Sequence, residues 1–156
     1  MSDPFTSALQ DSGELLIGPP RAPRQMLATQ QYDNHTSIHD DATAQKLGFK
    51  GGTIEGPTHF SQFAPLGVAL WGNRWFESGC VSAHYRNPCF EGDKVRAFMA
   101  KPRDKATQTA IWMQREDGTE ILRGTASVGN NNPPSALEQR IAQLEAPGKL
   151  VILRDV

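Results

Sequence analysis

The sequence predicts an α+β domain in which one buried helix is followed by a run of antiparallel strands. Phe60, Phe63, Gly67, Leu70 and Trp71 recur at helical spacing and form an apolar stripe. From Cys80 onward the period changes to two. Val81, Ala83 and Tyr85 alternate with Ser82, His84 and Arg86, and Val95, Ala97 and Met99 with Lys94, Arg96 and Phe98. Asp117-Gly118 then signals a hairpin between the β-branched and aromatic stretch 107–114 and a further strand over 121–128. A helix with one apolar stripe and a sheet with one apolar face bury those surfaces against each other.

Residues 1–13 are polar and patternless and are expected to be flexible. Leu15, Leu16 and Ile17 begin a short strand, and Pro19, Pro20 and Pro23 force an extended passage. The stretch 26–32 reads equally as helix or strand. Asp40 and Asp41 ahead of Ala42, Ala44 and Leu47, with Gly48 after them, describe a short helix with acidic residues at its start. Gly51-Gly52 and Gly56-Pro57 are turn signals, and Pro57 suits the first position of a helix. Pro65 falls inside the apolar stripe, where an interior proline costs about 3 kcal/mol, so the helix must kink or end early. Residues 130–135 are loop-like, and Ser135 with Glu138 is a capping box for a final helix through Leu144. Pro147-Gly148 stops it, and 150–153 is a last strand or a docking tail. The chain thus divides into a flexible 1–13, a main domain over 14–129, and a C-terminal helix and tail over 130–156.

With 156 residues the chain is one domain by length, long enough for a real core. The formal net charge is −1 and no dense Lys/Arg patch occurs, so a nucleic-acid partner is not expected. No apolar run reaches membrane-spanning length. The N-terminus lacks a basic start followed by an apolar core, so no secretory signal is expected. Cys80 and Cys89 stand nine apart without metal-type spacing, which suits two reduced thiols in the cytoplasm.

The chemistry-bearing residues concentrate between Tyr32 and His59. Asp33 and Asn34 are an acid/amide pair, His39 and His59 supply imidazoles, and Gly56 supplies a backbone N–H in a glycine turn. His35 and His39 have the i,i+4 spacing of a helical zinc pair, but the residues between them are β-branched and include no glutamate, so no metal is expected. His84 is expected to be an ordinary strand residue and Asp93, after Gly92, to fix a tight turn.

Taken in order, Asp33, Ile38-His39, Asp41, Ala44, Gly48-Phe49 and Thr53-Ile54-Glu55-Gly56 resemble the active-site half of the MaoC-like family. Tyr85-Arg86-Asn87-Pro88 through Gly92-Asp93 to Val95 is similar to that family's strand-turn-strand, and Arg123-Gly124-Thr125-Ala126 to its last core strand. The likeness covers about residues 30–128. It implies a hotdog fold, a curved antiparallel sheet wrapped around a central helix. It implies a hydratase or dehydratase that adds water to, or removes it from, the 2-enoyl group of an acyl-CoA or acyl-carrier thioester. CoA then enters only as part of the substrate and no other cofactor is implied. A homodimer or larger homo-oligomer is implied as well.

The catalytic spacing departs from the family pattern. The family places its acid five residues before the histidine. Here Asn34 holds that place and Asp33 stands six before His39. If Asp33 is aligned with the acid instead, the histidine position falls on Ile38. The resemblance therefore implies His39 as the principal catalytic group, with Asp33 or His59 sharing proton transfer and Asn34 orienting a water or a carbonyl. Gly56 would hold the thioester oxygen by its N–H, with Glu55 beside it. Two other readings stay open. One is a hotdog thioesterase, with Glu55 or Asp33 activating water. The other is a non-catalytic subunit of a hetero-oligomeric hydratase, with Trp71, Trp75 and Phe76 shaping an apolar pocket.

Overall fold

The structure is a computed structural model that describes residues 5, 7–27 and 37–145. Six strands form one antiparallel sheet: β1 (Gln10–Asp11), β2 (Leu15–Ile17), β3 (Gly79–Tyr85), β4 (Val95–Ala100), β5 (Gln108–Arg115) and β6 (Glu120–Val128). Their order across the sheet is β1-β2-β4-β5-β6-β3. The helices are α1 (Asp41–Lys46), α2 (Gly56–Phe60), α3 (Ala64–Trp71), α4 (Arg74–Ser78) and α5 (Ala136–Ala142), with a 3-10 turn at Ser61–Phe63 between α2 and α3. The 1–13 segment is less patternless than expected, because Gln10 and Asp11 pair with Ile17 and Leu16.

The alternation read from sequence is the pleat of the sheet. Val95, Ala97 and Met99 are buried on one face of β4, while Arg96, Phe98 and Ala100 on the other face are only partly covered. Ile111 and Met113 of β5 and Leu122 and Ala126 of β6 continue the buried face. Phe63 and Leu66 from the central helical segment pack onto that face without exposed surface. Each such side chain contributes about 1.5–3 kcal/mol on leaving water.

Proline decides how the central helix runs. Pro57 sits in the first turn of α2, where a missing N–H costs nothing. Pro65 cannot donate to the carbonyl four residues earlier, that of Ser61, and its ring crowds that carbonyl. The helix tightens into the 3-10 turn at Ser61–Phe63 and restarts as α3 with Pro65 in its first turn. The expected interruption lies there.

Trp75, after α3, packs inward. Trp75 of α4 stacks on Trp71 with ring centroids 5.9 Å apart and nearly parallel planes. The Trp75 ring fills the place a side chain at 67 would need, since a Cβ there would lie 2.3 Å from it. Gly67→Ala is therefore expected to destabilise the fold by about 2 kcal/mol through overpacking, read as a lower urea midpoint at unchanged slope.

Asp40 caps α1, accepting from the Thr43 N–H at 2.9 Å. Ser135 and Glu138 form the expected capping box on α5. Pro147-Gly148 and 150–153 lie outside the described residues. Among the described residues no helix is long and apolar enough to cross a membrane.

Candidate active site

A cleft of about 350 Å³ opens between the segment 38–56, the start of the central helix and the end of β3. His39, Thr53, Gly56, His59, Tyr85 and Cys89 contribute to its lining. Two long-range contacts hold its walls together. Thr53 forms an isolated antiparallel bridge with Phe90. Next to it, the Ile54 N–H donates to the Cys89 carbonyl at 2.8 Å.

His39 is fixed by the glycine turn that follows α1. Its Nδ1 lies 2.7 Å from the Thr53 carbonyl oxygen. A carbonyl only accepts, so Nδ1 carries the hydrogen, and in the neutral ring Nε2 keeps its lone pair. The same carbonyl accepts from Gln25 Nε2 at 2.7 Å, and Gln25 also donates to the His39 carbonyl at 3.0 Å. The Thr53 N–H returns a bond to the Ile38 carbonyl at 3.0 Å. Asp41, expected only as a helix-start charge, also accepts from the Gly52 N–H at 2.7 Å and so pins the turn to α1. A histidine bonded to backbone and a histidine free to act as a base describe two nitrogens of one ring here.

His59 is almost fully buried, at 1% exposure, and lines the same cleft. Burial pulls its pKa down to about 4, with the Glu55 charge opposing the shift. Its Nδ1 meets no hydrogen-bond partner among the described residues. At neutral pH it is an uncharged ring.

Glu55, expected beside the thioester oxygen, holds backbone N–H groups with its carboxylate. Its Oε1 accepts from the N–H groups of Met26 and Leu27 at 2.9 and 2.7 Å. The carboxylate ties the chain before residue 28 to the start of α2, and Glu55 is absent from the cleft lining. Asp33 and Asn34, and His35 with them, lie outside the described residues.

Gly56 is the first residue of α2, and its N–H has no intrahelical partner by position. A Cβ at 56 would meet the Tyr85 hydroxyl oxygen at 2.7 Å, so a side chain there would displace the phenol. Tyr85 was legible as a strand residue but not as a cleft residue, because only its pairing with Leu122 at the end of β3 aims it at Gly56. Burial pushes its phenol up to about 12, so it remains a hydrogen-bond donor at any ordinary pH. Cys89 is buried and its thiol is pushed up to about 11, chiefly by burial and then by the charge of Asp93. It is not a nucleophile at neutral pH.

The remaining candidates lie away from the cleft. Trp71, Trp75 and Phe76 are not among its lining residues. The two tryptophans stack on each other, and Phe76 stacks on Phe5 at the surface. His84 pairs across the sheet with Arg123 and does not line the cleft. Asp93 closes the turn after Gly92, accepting from the Phe90 N–H at 3.0 Å and from Lys50 Nζ at 3.1 Å. Among the described residues no three His, Cys, Asp or Glu side chains gather as a metal site would need.

No family model matches the chain, and no curated protein matches it by sequence. Solved structures do match. The unliganded R-hydratase PhaJ1 from Pseudomonas aeruginosa aligns over 94% of this chain and 94% of its own, with a TM-score of 0.51 at 12% identity. An (R)-hydratase from A. caviae involved in PHA biosynthesis aligns over 77% of this chain and 98% of its own, with a TM-score of 0.48 at 16% identity. A helix laid on a six-stranded antiparallel sheet, superposing on PhaJ1 along nearly all of both chains, makes this a hotdog-fold protein, the fold of the MaoC-like hydratases.

Proposed function

We propose that the chain adds water to, or removes it from, the 2-enoyl group of an acyl thioester, carried on CoA or an acyl-carrier protein, by acid–base catalysis. One observation carries this reading. His39, with its Nδ1–H committed to the Thr53 carbonyl, lines the same cleft as Gly56. In the hydration direction His39 Nε2 takes a proton from water as the water oxygen attacks the β-carbon. The electron pair moves onto the thioester oxygen, where the Gly56 N–H receives it. The α-carbon is then protonated, by the His39 imidazolium itself or by Asp33 as a second group. His59 contributes a neutral, buried wall in place of a charge. A homodimer or larger homo-oligomer belongs to the same proposal.

Hydrolysis of the thioester would need a carboxylate to activate water at the carbonyl. Glu55 is engaged with Met26 and Leu27, which leaves that reading to Asp33 alone. Incubation with a 2-enoyl-CoA and with a saturated acyl-CoA separates the two. Loss of the enoyl absorbance without release of free thiol is the expected result. Thiol release from both substrates, with the enoyl band otherwise intact, would replace hydration by hydrolysis.

A further inference from the structure

The Tyr85 hydroxyl meets no hydrogen-bond partner among the described residues, and its half-exposed ring rests against two others. Its ring stacks on Phe60 at 6.0 Å and leans on His59 at 6.1 Å between centroids. Its backbone is paired in β3 opposite Leu122. The hydroxyl oxygen stands 2.7 Å from the point where a side chain at 56 would begin, and the ring carbon bearing it 3.1 Å away. The covalent geometry of a residue then puts that oxygen within about 5 Å of the Gly56 nitrogen. Two donors at that separation can both reach one acceptor oxygen at about 2.9 Å each. Gly56 explains the arrangement from the other side, since any larger residue would push the phenol away.

Resting on the hydratase reading above, we propose that the Tyr85 hydroxyl is a second donor to the thioester oxygen, acting beside the Gly56 N–H. The enolate that forms when water attacks the β-carbon spreads its charge onto that oxygen. Two donors already in place receive the charge without reorganising. The phenol keeps its proton throughout, because burial holds its pKa near 12. It therefore acts as an electrostatic donor, and the proton delivered to the α-carbon comes from elsewhere.

Acetoacetyl-CoA tests this, because its thioester enolises without turnover and the enolate has its own ultraviolet band. The wild-type protein is expected to bind it and raise the enolate fraction. Tyr85→Phe keeps the ring and its stacking. It is expected to retain binding, to lower the enolate-to-keto ratio about tenfold, and to lower kcat on a 2-enoyl-CoA about 100-fold with a smaller change in KM. Gly56→Ala is expected to lose both the enolate and the turnover. An enolate fraction and kcat unchanged in Tyr85→Phe would overturn the role of Tyr85 alone. Failure of the wild-type protein to bind the acetoacetyl thioester on either CoA or an acyl-carrier protein would overturn the thioester reading and this role with it.

Discussion

His39→Ala is expected to lower kcat for hydration of a 2-enoyl-CoA about 1,000-fold while the protein stays folded. The rate effect follows from removing a positioned base, which contributes about 10²–10⁴. The modest structural effect follows from what the ring holds. Its Nδ1 bonds the Thr53 carbonyl at 2.7 Å and lies 3.2 Å from the Thr53 hydroxyl, and that carbonyl keeps its bond from Gln25. A net cost of about 1 kcal/mol is expected from the lost bond. Turnover followed at the enoyl absorbance, with a melting curve on the same sample, checks both parts. Wild-type turnover in a folded His39→Ala protein would remove His39 from the chemistry.

Stability is expected to fall by about 3 kcal/mol as pH drops from 6.5 to 4, from His59 alone. The ring is buried, and its pKa in the folded protein is about 4 against 6.5 for a histidine in water. Between those values the unfolded chain binds a proton at 59 and the folded chain does not. Protonation then favours unfolding, so the stabilisation is complete above 6.5 and lost as pH falls to the folded value. Below 4 both states are protonated and the slope ends. His59→Gln removes the titration and keeps a polar group in the same place. Urea unfolding across this window should show a weaker pH slope in His59→Gln than in the wild type. Parallel curves would mean that the buried ring is protonated as readily in the folded chain as in the unfolded one.

Much of the scaffold was legible because its signals are local. The two-residue alternation of Val95, Ala97 and Met99 is a property of a pleated strand, and the structure buries those three. Pro65 forbids a regular helix whatever surrounds it, and the Ser135–Glu138 capping box is closed within one turn. The site was legible only in part, because its geometry depends on pairs far apart in sequence. Nothing local says that Glu55 will reach back 29 residues to the Met26 N–H. Nothing local says that Gln25 will brace the turn that holds His39, 14 residues ahead. Tyr85 reads as an ordinary strand position until the sheet register aims it at Gly56. His59 reads as a polar helix position or a spare base in sequence, and its burial, which lowers its pKa, is a tertiary property. The acid/amide pair at 33 and 34, the nearest partner for His39 in sequence, falls outside the described residues.

Imidazole nitrogen NMR of the wild-type protein, with and without a saturated acyl-CoA, probes the shared cleft most directly. The neutral His39 ring should carry its hydrogen on Nδ1 and none on Nε2. Addition of the acyl-CoA should move the Nε2 signal and the Gly56 amide signal together. A hydrogen on Nε2 in the neutral ring, or both signals unmoved by saturating acyl-CoA, would mean that the ring and the glycine do not serve one acyl-thioester site.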